Sequence, residues 1–284
     1  MTNHTNTLRG KVVAITGGAR GIGYATATAL RALGADVAIG DVDETAVTRA
    51  GADIDVFARV LDVTDLGSFT AFLDEVEREL GPLDVLINNA GIMPVGRIVD
   101  EPDAVTRRIL DINTYGVIVG TKLAAQRMVP RSTGHVINVA SLAGETYTAG
   151  LATYCASKYA VLGFTDAVRV ENRTTGVKFS SVLPSFVNTE LTAGTVGIRG
   201  LRNAEPLDIA RAIVDLIIAP RPKVRVTRLA GVLVACQKYV PRAVGEELNR
   251  IFGGEHVFTD KVDTAQRKAY EDRARGHDDG ASTR

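Results

Sequence analysis

The stretch Lys11-Val12-Val13-Ala14-Ile15-Thr16-Gly17-Gly18-Ala19-Arg20-Gly21-Ile22-Gly23 decides the fold. Lys11 to Thr16 is a short β-branched run, apolar throughout its length, which suits a strand buried on both faces. The glycines that follow are spaced for a turn into a helix. Gly17 lets the chain reverse sharply, Gly21 leaves room for a phosphate near the backbone, and Gly23 lets helix and strand pack closely. The first amides of that helix, around Ile22, then face an anion, with the helix dipole assisting.

Outward from this turn the pattern alternates. Strands are expected at Asp36–Gly40, Asp55–Leu61, Asp84–Asn88, His135–Ala140, Lys178–Leu183 and, more briefly, Val224–Thr227. Helices are expected from the glycine turn to Leu33, over Asp65–Leu80, over Glu101–Met128 with a bend near Asn113–Gly116, over Tyr154–Asn172 and over Asp208–Ile218. Near-continuous apolar strands alternating with helices imply an α/β fold: a Rossmann-type, doubly wound parallel sheet of about seven strands with helices on both faces. Residues 1–228 read as a single dinucleotide-binding and catalytic domain, 229–275 as a helical C-terminal extension, and 276–284 as a loose polar tail.

Composition narrows the function classes. The chain has 284 residues, enough for one large α/β domain, and 45% are hydrophobic, so neither disorder nor a coiled coil fits. Lys plus Arg and Asp plus Glu are both 33, so no bulk field draws it to nucleic acid or acidic lipid. Two cysteines (Cys155, Cys236) and four scattered histidines make neither a disulfide scaffold nor a zinc site. The polar N-terminus lacks a secretory apolar core, and no run approaches the roughly 18 apolar residues of a spanning helix. A cytoplasmic location is the expectation, and the two Asn-x-Thr triplets read as chance.

Asp41 ends the second strand, where a carboxylate can accept hydrogen bonds from adenosine ribose hydroxyls and repel a 2′-phosphate. Arg20 pulls the other way, since guanidinium suits a phosphate. The balance favours NAD, with NADP as the alternative. Tyr154 and Lys158 stand at i and i+4, on one helix face. Ser141 ends the fifth strand. A tyrosine of ordinary pKa about 10 is a poor base near neutral pH. An ammonium about 4 Å away would stabilise tyrosinate by roughly 4 kcal/mol at an effective dielectric of about 20, about three pKa units. Ser141 can then orient a substrate oxygen. A serine nucleophile is excluded, because His135 lies roughly 20 Å away at the other end of that strand.

With Asn88-Asn89-Ala90-Gly91 and Asn113, these motifs occur in an order and spacing that resemble the short-chain dehydrogenase/reductase family in its classical form, over residues 8 to about 220. The resemblance implies that Lys158 also holds the nicotinamide ribose and that Asn113 positions a relay water. It implies Asp62 and Val63 beside the adenine and Asn88 and Gly91 on the crevice. It places Val187 at the carboxamide and Thr189 at the pyrophosphate. Ser185 stands where the family usually has glycine, which puts the local backbone in question.

The stretch after Thr189 usually forms the family's lid over the substrate. Ile92, Met93, Pro94, Val95, Leu142, Ala143, Tyr147 and Leu151 are expected to line a mostly apolar crevice. A hydrophobic secondary alcohol or its ketone, steroid-like molecules included, fits it better than a sugar. Cys155 reads as packing. The rivals are an NADPH-dependent 3-oxoacyl, quinone or other carbonyl reductase, and a non-catalytic dinucleotide-binding sensor or scaffold. Apolar faces over Val117–Val129 and Val161–Val170 allow a homo-oligomer, a tetramer or dimer. The apolar run flanked by Arg225, Arg228, Lys238 and Arg242 suggests either peripheral membrane contact or, preferred here, a helix that closes the pocket or meets another subunit.

Overall fold

A computed structural model describes residues 7–195, 203–227, 258–259 and 262–276. Seven parallel strands form one sheet in the order β3-β2-β1-β4-β5-β6-β7. They are β1 Val12–Thr16, β2 Asp36–Asp41, β3 Phe57–Val60, β4 Val85–Asn88, β5 His135–Val139, β6 Lys178–Leu183 and β7 Lys223–Arg225. The helices are α1 Gly21–Ala32, α2 Glu44–Ile54, α3 Leu66–Leu80, α4 Asp103–Leu110, α5 Gly116–Met128, α6 Ala152–Glu171, α7 Pro206–Ile218 and α8 Thr264–Arg275. The order reverses between β1 and β4, so a crevice opens there beyond the strands' carboxyl ends.

The strands alternate between two cores. Val13 and Ile15 of β1 pack with Val37, Ile87, Leu30 and Ile213 on one face. Val12 and Ala14 pack with Leu86, Phe69, Leu73 and Ala124 on the other. This two-sided burial is why the strands read as continuous apolar runs rather than alternating ones.

Three elements differ from expectation. The third strand starts at Phe57, because α2 extends to Ile54 and Asp55 caps it with a left-handed φ of 52°. Helix α2 has no counterpart in the sequence reading. It buries only Ala46, Val47, Ala50 and Gly51, so its apolar stripe is faint, and its clearest signal is the N-cap Asp43, which accepts from the Ala46 amide at 2.9 Å. The long Glu101–Met128 stretch is two helices joined by a π-helical turn over Asp111–Tyr115, which accounts for the bend expected near Asn113.

Most of the expected C-terminal extension, and the tail from 277, lie outside the described residues; α8 is the part within them. Arg228, Lys238 and Arg242 are also outside. Arg225 makes a two-pronged ion pair with the buried Glu145 (2.6 and 2.8 Å). Among the described residues no helix is long and apolar enough to cross a membrane.

Candidate functional site

The β1–α1 turn is built around its glycines. Gly17 and Gly21 have φ of 65° and 53°. A Cβ on Gly23 would lie 2.1 Å from the Gly17 carbonyl oxygen, so helix and turn touch backbone to backbone. A Cβ on Gly21 would instead enter the gap facing Thr189, 3.3 Å from its methyl group. Helix α1 begins without a side-chain cap, which leaves the amides of Gly21, Ile22 and Gly23 free of helical acceptors. An open gap, unspent amides and a helix N-terminus together fit a pyrophosphate.

Asn89 holds this turn in place. Its side chain donates to the carbonyls of Thr16 and Gly17, both at 3.0 Å, while its amide donates to Thr16 Oγ1. Its neighbour Asn88, expected on the crevice, is turned inward instead. Asn88 is buried and donates to Asn138 Oδ1 (2.9 Å) and Thr121 Oγ1 (3.3 Å), tying β4 to β5 and α5. Alternation along a strand explains the exchange: residues one apart point to opposite sides.

At the end of β2, Asp41 accepts from the amides of Ala19 and Asp43, each at 3.2 Å. Burial pushes its carboxyl above the usual range. Arg20 is ion-paired with Asp43 and also faces Glu190 and Asp41. The one cation of the turn is thus surrounded by carboxylates. Asp62 accepts from the amide and hydroxyl of Thr64 (2.8 and 2.7 Å), and the Val63 side chain is buried facing Gly116.

The expected quartet gathers at the far side of the switch point. Ser141 follows β5 and caps a short turn through the Ala143 amide at 3.1 Å. Its side chain faces that of Tyr154 and favours the ionised phenol against the larger effect of burial. Lys158, one turn along α6, donates to the Val139 carbonyl at 3.1 Å and has Nζ 5.7 Å from the centre of the Tyr154 ring. A Cβ on Gly91 would lie 3.5 Å from that Nζ and 3.1 Å from Asn113 Oδ1. Asn113 sits in the π-helical turn, fully buried. It accepts from the Ile92 amide and donates to the Ile92 carbonyl, both at 2.8 Å, and donates to Ser157 Oγ at 3.2 Å. Its side chain pins the loop after β4.

The electrostatics correct one expectation. Burial pushes the Tyr154 phenol up to about 12 and pulls Lys158 down to about 8. Both groups are desolvated, and the ammonium is directed at Val139 rather than at the phenol. At neutral pH the chain alone therefore holds Tyr154 protonated.

Met93, Leu151, Tyr154, Cys155 and Phe258 form an apolar cluster, with Val95, Ala143, Phe186 and Leu191 against it. Phe186 and Phe258 are stacked, ring centres 5.5 Å apart. Four expected lining residues, Met93, Val95, Ala143 and Leu151, are here. Leu142 is not: it packs in a separate core with Val117, Val161 and Leu183. Phe186, Leu191 and Phe258 were not foreseen, since their approach depends on chain from distant parts of the sequence. Val187 is buried and Thr189 half-buried; Thr189 caps the turn Glu190–Thr192. Ser185 keeps an ordinary negative φ and shares a hydrogen bond with Thr227 Oγ1 (2.7 Å), so serine replaces glycine there without strain.

A parallel sheet with a glycine turn at its switch point, and a Tyr-x-x-x-Lys helix bordering the same crevice, defines a dinucleotide-binding α/β protein. A family model described as short chain dehydrogenase matches residues 11–196, and the chain belongs to that family. It is 34% identical over 254 residues to a probable oxidoreductase, EphD, of Mycobacterium tuberculosis, covering 87% of this chain but only 43% of EphD. The chain thus spans less than half of that relative's length. It is also 34% identical over 219 residues to the 3-alpha-(or 20-beta)-hydroxysteroid dehydrogenase of M. tuberculosis, covering 74% of this chain and 83% of that protein. A short chain dehydrogenase/reductase from Burkholderia phymatum, solved in complex with NAD, shares the fold: TM-score 0.76 at 24% identity, over 82% of this chain and 94% of that one.

Proposed function

We propose that this protein is an NAD-dependent oxidoreductase that interconverts a bulky, hydrophobic, steroid-like secondary alcohol and its ketone. One observation carries the reading: the Ser141 side chain faces the Tyr154 phenol, and Tyr154 belongs to an apolar cluster. A single polar pair on an apolar wall suits a substrate with one reacting oxygen on a large apolar body. The hydroxysteroid dehydrogenase relative supports the same size class.

In the reduction direction Tyr154 donates its proton to the carbonyl oxygen, and Ser141 hydrogen-bonds that oxygen as negative charge develops. In oxidation the phenol must take the alcohol's proton. Lys158 favours this by placing an ammonium one turn away. Asn113 holds the loop after β4, and so Gly91, against Lys158. When bound, the nicotinamide supplies or takes up the hydride and, oxidised, adds positive charge beside the phenol. Asp41 would receive ribose hydroxyls, and Arg20, already neutralised by Asp43, leaves little attraction for a 2′-phosphate.

The test is a panel of alcohols and ketones graded by size, assayed with NAD(H) and NADP(H) at equal concentration through nicotinamide absorbance. Turnover of large alicyclic alcohols with NAD is the expected result. Preference for NADPH would move the reading to the carbonyl-reductase alternative. Dinucleotide binding without turnover across the panel would leave a sensor or scaffold.

A further inference from the structure

Helix α8 takes no part in the chemistry above, yet it joins the two loops whose side chains form the apolar cluster around Tyr154. Its central residue, Arg267, is 1% exposed. Nη1 donates to the carbonyls of Leu191 (2.8 Å) and Ala193 (3.1 Å), Nη2 to that of Met93, and Nε to Glu271 (2.6 Å). Leu191 and Ala193 follow β6; Met93 follows β4. One buried guanidinium thus bridges two loops whose side chains border Tyr154. Its planar fork can reach several acceptors at once, which a lysine's point charge cannot.

Neighbouring residues of α8 repeat the connection. The Tyr270 hydroxyl accepts from the Met93 amide (2.7 Å), Glu271 accepts from the Val95 amide (3.3 Å), and Arg275 donates to the Val95 carbonyl (3.1 Å). On the other wall the Asp263 amide, at the N-cap of α8, donates to the Gly194 carbonyl at 2.8 Å. Gly194 has φ 69°, and a Cβ there would lie 2.5 Å from the Asp263 oxygen, so this approach requires glycine.

We propose that α8 is a clasp that fixes the width of the substrate pocket, with Arg267 as the positioning residue that sets how large an alcohol or ketone is accepted. The statement about size rests on the oxidoreductase reading; the clasp itself does not.

The experiment compares wild type with Arg267→Met, Arg267→Lys and Gly194→Ala. It measures KM and kcat for a steroid-sized ketone and for cyclohexanone, NADH affinity by fluorescence, and hydrogen exchange over residues 92–95 and 188–195. For Arg267→Met and Gly194→Ala, KM for the large ketone should rise about tenfold or more, with kcat, cyclohexanone KM and NADH affinity changed less than about threefold. Exchange in both segments should quicken together. Arg267→Lys, keeping charge without the fork, should recover only part of the loss. If Arg267→Met does not fold, Gly194→Ala gives the same readings.

Unchanged KM for the large ketone, an equal loss for both ketones, full rescue by lysine, or faster exchange in one segment alone would each overturn the proposal. If wild type reduces neither ketone, the oxidoreductase reading fails separately. Exchange then decides the clasp by itself.

Discussion

Tyr154 and Lys158 are costly residues to bury, and the cost shows which way the site is poised. Burial pushes the phenol to about 12, so the chain without its coenzyme holds that proton across the physiological range. Replacing Tyr154 by Phe should lower kcat/KM by about 10² to 10⁴ while leaving NADH affinity intact, as fluorescence titration beside steady-state kinetics will show. Lys158 makes the opposite trade. Its pKa is about 8 folded and 10.5 free, so the unfolded chain holds that proton more tightly and stability rises with pH between the two values. Below about 8 the whole cost of burying the ammonium is present. Lys158→Met should therefore melt higher than wild type at pH 7, by the order of 1–3 kcal/mol, while turnover collapses. The advantage should shrink above pH 8 and vanish by 10.5. Tyr154 weakens both proteins alike above pH 10, because its folded pKa is raised, so the difference between them isolates the lysine. Calorimetry at pH 7, 9 and 10.5 measures it; a variant that melts lower at pH 7 would mean that the bond to the Val139 carbonyl outweighs desolvation.

At the scale of elements, the proposed preference for NAD rests on the corner where β2 runs into α2. Asp43 has two tasks there: it caps α2 through the Ala46 amide and neutralises Arg20. Asn caps as well as Asp but carries no charge. Asp43→Asn should thus keep α2 folded while freeing Arg20 for a 2′-phosphate, raising kcat/KM with NADP about tenfold. Asp41→Asn added to it should bring the two coenzymes level or invert the preference. No gain with NADP in either variant would place Arg20 out of reach of the 2′ position. This corner also marks where sequence reading reached its limit. Glycine spacing, strand positions and the Tyr154–Lys158 pair are local signals, and each was legible. The Arg20–Asp43 pair was not, because it depends on α2, whose weak apolar stripe hid the helix. The contacts of the Asn113 side chain with Ile92 and Ser157 were not legible either, because they join residues far apart in sequence. Phe258 and Arg267 lay beyond legibility, since their partners at Phe186, Met93 and Leu191 are far away in sequence.

For the whole molecule, the question is which surface one subunit leaves uncovered. The apolar face expected to pair subunits on α5 is largely internal: Val117, Val119, Leu123 and Ala124 are all buried within the subunit. The outward face of α6 is different. Ala152, Ala156, Tyr159, Ala160, Gly163, Ala167 and Val170 are exposed, following helical spacing along nearly its whole length, and carry no charge. Tyr115 and Leu110, on the neighbouring π-helical turn and α4, are also exposed. A long stripe made mostly of small residues, with Asp166 at its edge, lets a second helix approach closely, and an antiparallel copy of itself satisfies the two-fold rule that like surfaces meet. The protein should therefore be a homo-oligomer paired through α6. Because Tyr154 and Lys158 lie on the inner face of the same helix, pairing would also hold the site steady. Ala156→Arg and Gly163→Arg introduce like charges at that seam and should reduce the light-scattering mass to a single chain. The variant monomer should bind NADH with ordinary affinity but lose thermal stability. A wild-type mass of one chain, or arginine variants still assembled, would move the subunit contact to another face and leave the α6 stripe without a partner.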